Sequence, residues 1–222
     1  MYNQGSSRKN HLLQMYGYML DSLGPSKWWP GGGPFEVCVG AILTQNTNWT
    51  NVEKAILNLK ERSLLYPEAL FRLQEEQLAE LIRPAGYFRI KSKRIKNFIL
   101  FLKNEAAFDL DFLAGQELSE LRSKLISVKG IGPETADSIL LYALNKPSFV
   151  VDTYTARICN RHSLVEEDIG YEQLRNYFQD VLPSDVNLFN EFHALLVRVG
   201  KHWCKKNSAL CGDCPLYSLL ET

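Results

Sequence analysis

The sequence predicts an all-α protein. Apolar residues recur at spacings of three and four through most of the chain, strand-like alternation is scarce, and short Gly- or Pro-rich runs separate the periodic segments. Phe35, Cys38, Val39, Ile42 and Leu43 form one stripe, and Val52, Ala55, Ile56 and Leu59 the next. Leu118, Leu121 and Leu125 make a third, Ala136, Ile139, Leu140, Ala143 and Leu144 a fourth, and Phe189, Phe192, Leu195, Leu196 and Val199 a fifth. SFVV, just before Asp152, is the best strand candidate. Breaks fall at 24–34, 83–88, 129–133 and 145–148, none long or polar enough for a flexible linker, so the parts are expected to pack together.

A chain of 222 residues with 45% hydrophobic content can bury the core of one large domain or two small ones. No apolar run approaches the roughly 18–20 residues of a membrane span, and MYNQGSSRKNHLLQ has no secretion-signal core, so a cytoplasmic location is expected. Lys plus Arg equals Asp plus Glu at 25 each, which gives no global hint of a nucleic-acid partner. Locally, RIKSKRIK (89–96) is densely cationic, as a solvated helix face or a phosphate-facing one would be.

Cys204, Cys211 and Cys214 cluster near the C-terminus, which points to a metal or iron–sulfur site more than to disulfides. Cys38 and Cys159 sit among apolar residues and read as core thiols.

VKGIGPETADSIL (128–140) interrupts a helical pattern with two glycines. One helix should end at Gly130, and Pro133 suits the first turn of the next. Without a Cβ at Gly130 and Gly132, a DNA phosphate can approach the turn and the following helix N-terminus. That makes a phosphate-gripping helix–hairpin–helix of Lys129, Gly130, Ile131 and Gly132; an ordinary tight turn between helices fits the spacing as well.

This stretch, with FVVDTYTARICNR (149–161), AILTQNTNWTNVEKAI (41–56), IRPAGYFRIKSKRI (82–95) and HWCKKNSALCGDCPL (202–216), resembles the endonuclease III family of DNA glycosylases over most of the chain. The resemblance implies a two-lobed helix–hairpin–helix fold with a C-terminal cysteine loop. Residues 34–146 would be a helical barrel, and 1–33 with 147–222 a second lobe, with Asp152 in the cleft between them. It implies excision of damaged bases flipped from double-stranded DNA, with no membrane involved; no obligatory protein partner is readable.

By the same resemblance Asp152 aligns with the catalytic aspartate. A fixed carboxylate there would stabilise the sugar cation that forms as the glycosidic bond breaks and would orient or deprotonate water. A plain helix cap is the other reading of Asp152. Family members that also cut the backbone carry a lysine two residues after the second hairpin glycine, as an imine-forming nucleophile. This chain has Glu134, which implies hydrolysis without efficient lyase chemistry.

A water-only enzyme needs a good leaving group, and alkylated purines such as 3-methyladenine are already positively charged. The chain is similar to bacterial 3-methyladenine glycosylases of the endonuclease III type through WWP (28–30), LTQNT (43–47) and the acidic hairpin residue. Trp28 and Trp29, held by Pro30, would stack on a cationic purine, unless they are ordinary core or loop anchors. Gln45 matches the residue that fills the gap left by an extruded nucleotide, with Asn46 and Thr47 beside it; a solvent-facing turn is the alternative.

Cys204, Cys211 and Cys214 keep the C-x6-C-x2-C part of the family's [4Fe–4S] motif, but Leu220 occupies the fourth position. A cluster is expected; a three-thiolate site with an exogenous fourth ligand, a labile cluster, a zinc site drawing on His202 and a metal-free remnant are the alternatives left open. Lys201, Lys205 and Lys206 would then meet phosphates. An endonuclease III-like glycosylase/lyase for oxidised or mismatched bases, and a non-catalytic damage-binding protein, are the rival functions.

Overall fold

The computed structural model describes residues 2–26 and 32–220. Trp28, Trp29 and Pro30, the expected base-stacking group, lie outside the described residues. The chain divides into two compact units, 29–146 and 1–28 with 147–222. Among the described residues both are helical, and no helix is long and apolar enough to cross a membrane.

The first unit is built around α2 (Pro34–Leu43), which buries every residue except Pro34 and Glu36. An apolar helix of this kind cannot be left at a surface and needs neighbours on all sides. They are α3 (Trp49–Glu61), α6 (Phe88–Ala106), α9 (Pro133–Ser138) and the wider π turn Ile139–Ala143 that continues α9. α4 (Pro67–Arg72), α5 (Glu75–Leu81), a 3-10 turn at Arg83–Ala85, α7 (Leu110–Ala114) and α8 (Leu118–Ser127) complete the shell. Starts are set locally: Asn48 accepts from the Asn51 N–H at 3.0 Å, Glu117 from the Glu120 N–H at 2.9 Å, and prolines begin α2, α4 and α9.

The second unit packs α12 (Val186–His202) against α1 (Tyr2–Leu23) and α10 (Thr153–Arg161), with α11 (Tyr171–Gln179) alongside. Phe149, Phe178, Phe189 and Phe192 are fully buried there, with Phe149 stacked on Phe178 at 4.4 Å between ring centres. Each such side chain contributes about 1.5–3 kcal/mol of burial. The best strand candidate, SFVV, forms no strand, in keeping with the all-α expectation. Phe149 N–H donates to Gln179 Oε1 at 2.9 Å and Gln179 Nε2 donates to Pro147 O at 3.3 Å, so a glutamine side chain serves this backbone where a partner strand would.

Gly200 lies where α12 meets α10: a Cβ there would stand 2.4 Å from the Tyr154 ring. That close approach brings the first turn of α10, and Asp152 before it, up against α12.

Candidate functional site

Asp152 does cap α10. Its Oδ1 accepts from Thr155 N–H at 2.8 Å and from Thr155 Oγ1 at 2.9 Å. That fixes the carboxylate through one oxygen and turns the other, Oδ2, toward His193 Nε2 on α12, 3.7 Å away. Burial pushes the Asp152 carboxyl up, but the neighbouring His193 imidazole, then the Thr155 hydrogen bonds, outweigh it and hold the carboxyl below its ordinary value. Capping and a catalytic geometry are therefore compatible in one side chain, because they use different oxygens.

In the other unit the hairpin forms between α8 and α9. Gly130 has φ +99, and a Cβ on it would lie 2.3 Å from Arg94 Cγ, so this position needs glycine twice over. Gly132 is different: it is extended and exposed, with nothing within 4 Å of a Cβ, so it is the open approach to the turn that its missing side chain secures. Lys129 is exposed. Ile131 points its side chain into the core, and its N–H donates to Val128 O at 2.9 Å. Glu134 is exposed in the first turn of α9.

The 44–47 turn is tied to this hairpin. Gln45 Nε2 donates to Gly130 O at 3.1 Å and to Thr135 Oγ1 at 2.8 Å, and Arg94 Nη1 donates to Gln45 Oε1. Asn46 is left-handed at φ 53, and Thr47 Oγ1 donates to Ala85 O at 2.6 Å.

The cationic run in α6 is only partly the solvated face expected from its composition. Arg89 and Lys93 are exposed, but Lys91 is 1% exposed and Lys96 donates to Leu70 O and Phe71 O at 2.7 and 3.0 Å. Their ammonium groups close carbonyls that helix ends leave unpaired. Tyr87, read from sequence only as part of a break, is 69% exposed and left-handed at φ 44, directly ahead of α6. Its signal was an aromatic flanked by Gly86 at a helix start, a pattern that loop composition alone does not rank. His193 was also missed, although it falls on the apolar stripe of α12 beside Phe192, where a polar residue calls for a partner.

The cysteine loop does not fit a four-thiolate cluster as arranged. Leu220 holds the fourth position, and among the described residues no three His, Cys, Asp or Glu side chains stand where they could hold a metal ion. Burial, then the neighbouring Cys204 and Cys211, push the Cys214 thiol up. The loop is instead tied to α10 by arginines: Arg157 Nε donates to Cys204 O at 2.6 Å, and Arg161 donates to Cys204 Sγ at 3.3 Å, Lys205 O at 2.8 Å and Lys206 O at 3.0 Å. Lys201, Lys205 and Lys206 are exposed around it.

Comparison with known proteins agrees with the all-helical fold. The profile described as HhH-GPD superfamily base excision DNA repair protein matches residues 39–184. A Methanocaldococcus jannaschii protein named as a candidate DNA repair glycosylase is 44% identical over 92% of this chain and 93% of its own. Endonuclease III of Thermotoga maritima is 30% identical over 85% of this chain and 83% of its own. Among solved structures, the Helicobacter pylori 3-methyladenine DNA glycosylase MagIII bound to 1,N6-ethenoadenine superposes with TM-score 0.75 at 27% identity, covering 87% of this chain and 97% of that one. An endonuclease III–DNA covalent intermediate superposes with TM-score 0.81 at 21% identity, covering 95% and 94%, and supports the fold. The chain belongs to the HhH-GPD superfamily of base excision DNA repair proteins, as an endonuclease III-like DNA glycosylase.

Proposed function

We propose that this glycosylase hydrolyses the N-glycosidic bond of an alkylated purine, 3-methyladenine being the type case, and leaves the abasic strand uncut. The observation that carries the reading is a pair of carboxylates. Asp152 is anchored through one oxygen with His193 Nε2 3.7 Å from the other, while Glu134 stands where lyases of the family carry an amine.

In the proposed mechanism the hairpin of Lys129, Gly130, Ile131 and Gly132 grips a phosphate through its backbone, and Gln45, with Asn46 and Thr47, fills the gap left by the extruded nucleotide. Exposed Tyr87 adds an aromatic face that can stack on a neighbouring base. Trp28 and Trp29 stack on the cationic purine. As the bond to the base breaks, Asp152 Oδ2 faces the growing positive charge on the sugar and takes a proton from the attacking water. Glu134 cannot form an imine with the resulting aldehyde, so β-elimination has no nucleophile at that position. No step uses a metal or cluster; the cysteine loop presents Lys201, Lys205 and Lys206 to the DNA backbone. The similarity to MagIII supports the choice of alkylated purine.

The test is release of free base from duplexes that each carry one 3-methyladenine, 7-methylguanine, 1,N6-ethenoadenine, thymine glycol or uracil. Release confined to the modified purines supports the reading. Release of thymine glycol in preference to them would favour the oxidised-base glycosylase.

A further inference from the structure

The 44–47 turn and the hairpin come from segments some ninety residues apart, yet one ridge of α6 holds both. Lys91, Arg94 and Asn97 follow each other at intervals of three, along one side-chain row of the helix. Lys91 is buried with all three ammonium protons committed: to Leu43 O at 2.7 Å, Thr47 Oγ1 at 2.5 Å and Ala85 O at 2.8 Å. It thus grips the turn from both ends and ties it to the segment leading into α6. Arg94 donates to Gln45 Oε1, and its aliphatic stem runs where a Cβ on Gly130 would be. Asn97 Nδ2 donates to Lys129 O at 2.8 Å, on the hairpin itself. Gln45 closes the circuit through Gly130 O and Thr135 Oγ1.

We propose that Lys91, Arg94 and Asn97 are positioning residues that hold the Gln45 turn at a fixed offset from the hairpin, so that gripping a phosphate also aims Gln45 at one step of the stack. The inference rests on the proposed reading that this turn enters DNA. Its physical content is that every polar atom of the Gln45 amide is held by protein before DNA arrives. The side chain is therefore set in one orientation before DNA arrives, and the hairpin aims it through Arg94. A carbonyl-gripping ammonium is hard to replace: methionine at 91 matches the length and none of the bonds, and arginine matches the charge but has a planar fork that cannot point at three converging oxygens.

The test uses the full chain and a duplex containing a tetrahydrofuran abasic analogue with 2-aminopurine in the opposite strand, whose fluorescence rises when the stack opens. The variants are Gln45→Ala, Arg94→Met, Asn97→Ala and Lys91→Met. Arg94→Met and Asn97→Ala keep the proposal testable should Lys91→Met fail to fold. The expected result is that Arg94→Met and Asn97→Ala, with wild-type melting temperature, shift the opening equilibrium down about three- to tenfold, as one lost hydrogen bond would. Gln45→Ala/Arg94→Met should lose no more than Gln45→Ala alone, because both act through one side chain. Full fluorescence in Arg94→Met and Asn97→Ala, against a loss in Gln45→Ala, would overturn the positioning role and leave the wedge reading intact. Full fluorescence in Gln45→Ala would remove the wedge reading and this inference with it.

Discussion

Asp152 Oδ2 lies 3.7 Å from His193 Nε2, while Oδ1 is held by Thr155. His193 thus faces the oxygen that Thr155 leaves open, and the two together hold the carboxyl low against burial. A carboxylate with a lowered pKa in the fold adds stability above its ordinary range and loses it as pH falls through the folded value. His193→Ala should raise the Asp152 pKa and move the acid limb of the excision rate upward with it. An acid limb that stays in place would remove His193 from this role. The check is a single-turnover pH profile of both proteins.

The two hairpin glycines should separate folding from binding. Gly130→Ala places a Cβ at φ +99 and against Arg94, and is expected to cost about 1–2 kcal/mol of stability by denaturant titration. Gly132→Ala meets no neighbour and should change stability by less than about 0.5 kcal/mol. It should nonetheless weaken binding to an abasic-analogue duplex about tenfold, because its methyl group occupies the phosphate's approach.

Lys91 gives a pH signature for the clamp. Burial, then the charge of Arg94, lowers its pKa to about 8 from an ordinary 10.5. Between those values the unfolded chain binds more protons than the fold, so stability contributed at this position rises with pH through that window. Wild type should gain about 2–3 kcal/mol relative to Lys91→Met between pH 8 and pH 10.5. Parallel urea titrations at the two pH values measure it, and a constant difference would mean that the ammonium is not penalised by burial.

The cysteine loop should depend on arginine more than on thiols. Arg161→Met removes donors to Cys204 Sγ, Lys205 O and Lys206 O and is expected to cost about 1–3 kcal/mol. Cys211→Ala and Cys214→Ala should cost less than that, and a chelator should leave the melting temperature unchanged. A drop in melting temperature on chelation would show that a metal holds this loop.

The helices were legible where one apolar face repeats: the stripes at 35–43, 52–59, 118–125 and 189–199 correspond to α2, α3, α8 and α12. The stripe at 136–144 fell on α9 and then on the π turn, because spacing alone does not separate a tight helical turn from a wide one. Lys91 was hidden by counting it as one of five cations, although it lies in register with Ile95, Phe98 and Leu102 on the buried face of α6. Asp152 was legible as a cap, whereas its approach to His193 depends on how α10 meets α12. That contact involves residues forty positions apart, and no local pattern encodes it. Nor could composition show that Gln45 is bonded to the hairpin, since both partners are ordinary turn residues.

The most direct measurement places wild type and Asp152→Asn on a duplex with a single 3-methyladenine and scores strand breaks before and after hot alkali. The account predicts that wild type yields breaks only after alkali and that Asp152→Asn binds the duplex but yields none. Breaks by wild type without alkali would contradict it, because they would require an amine nucleophile that Glu134 does not provide.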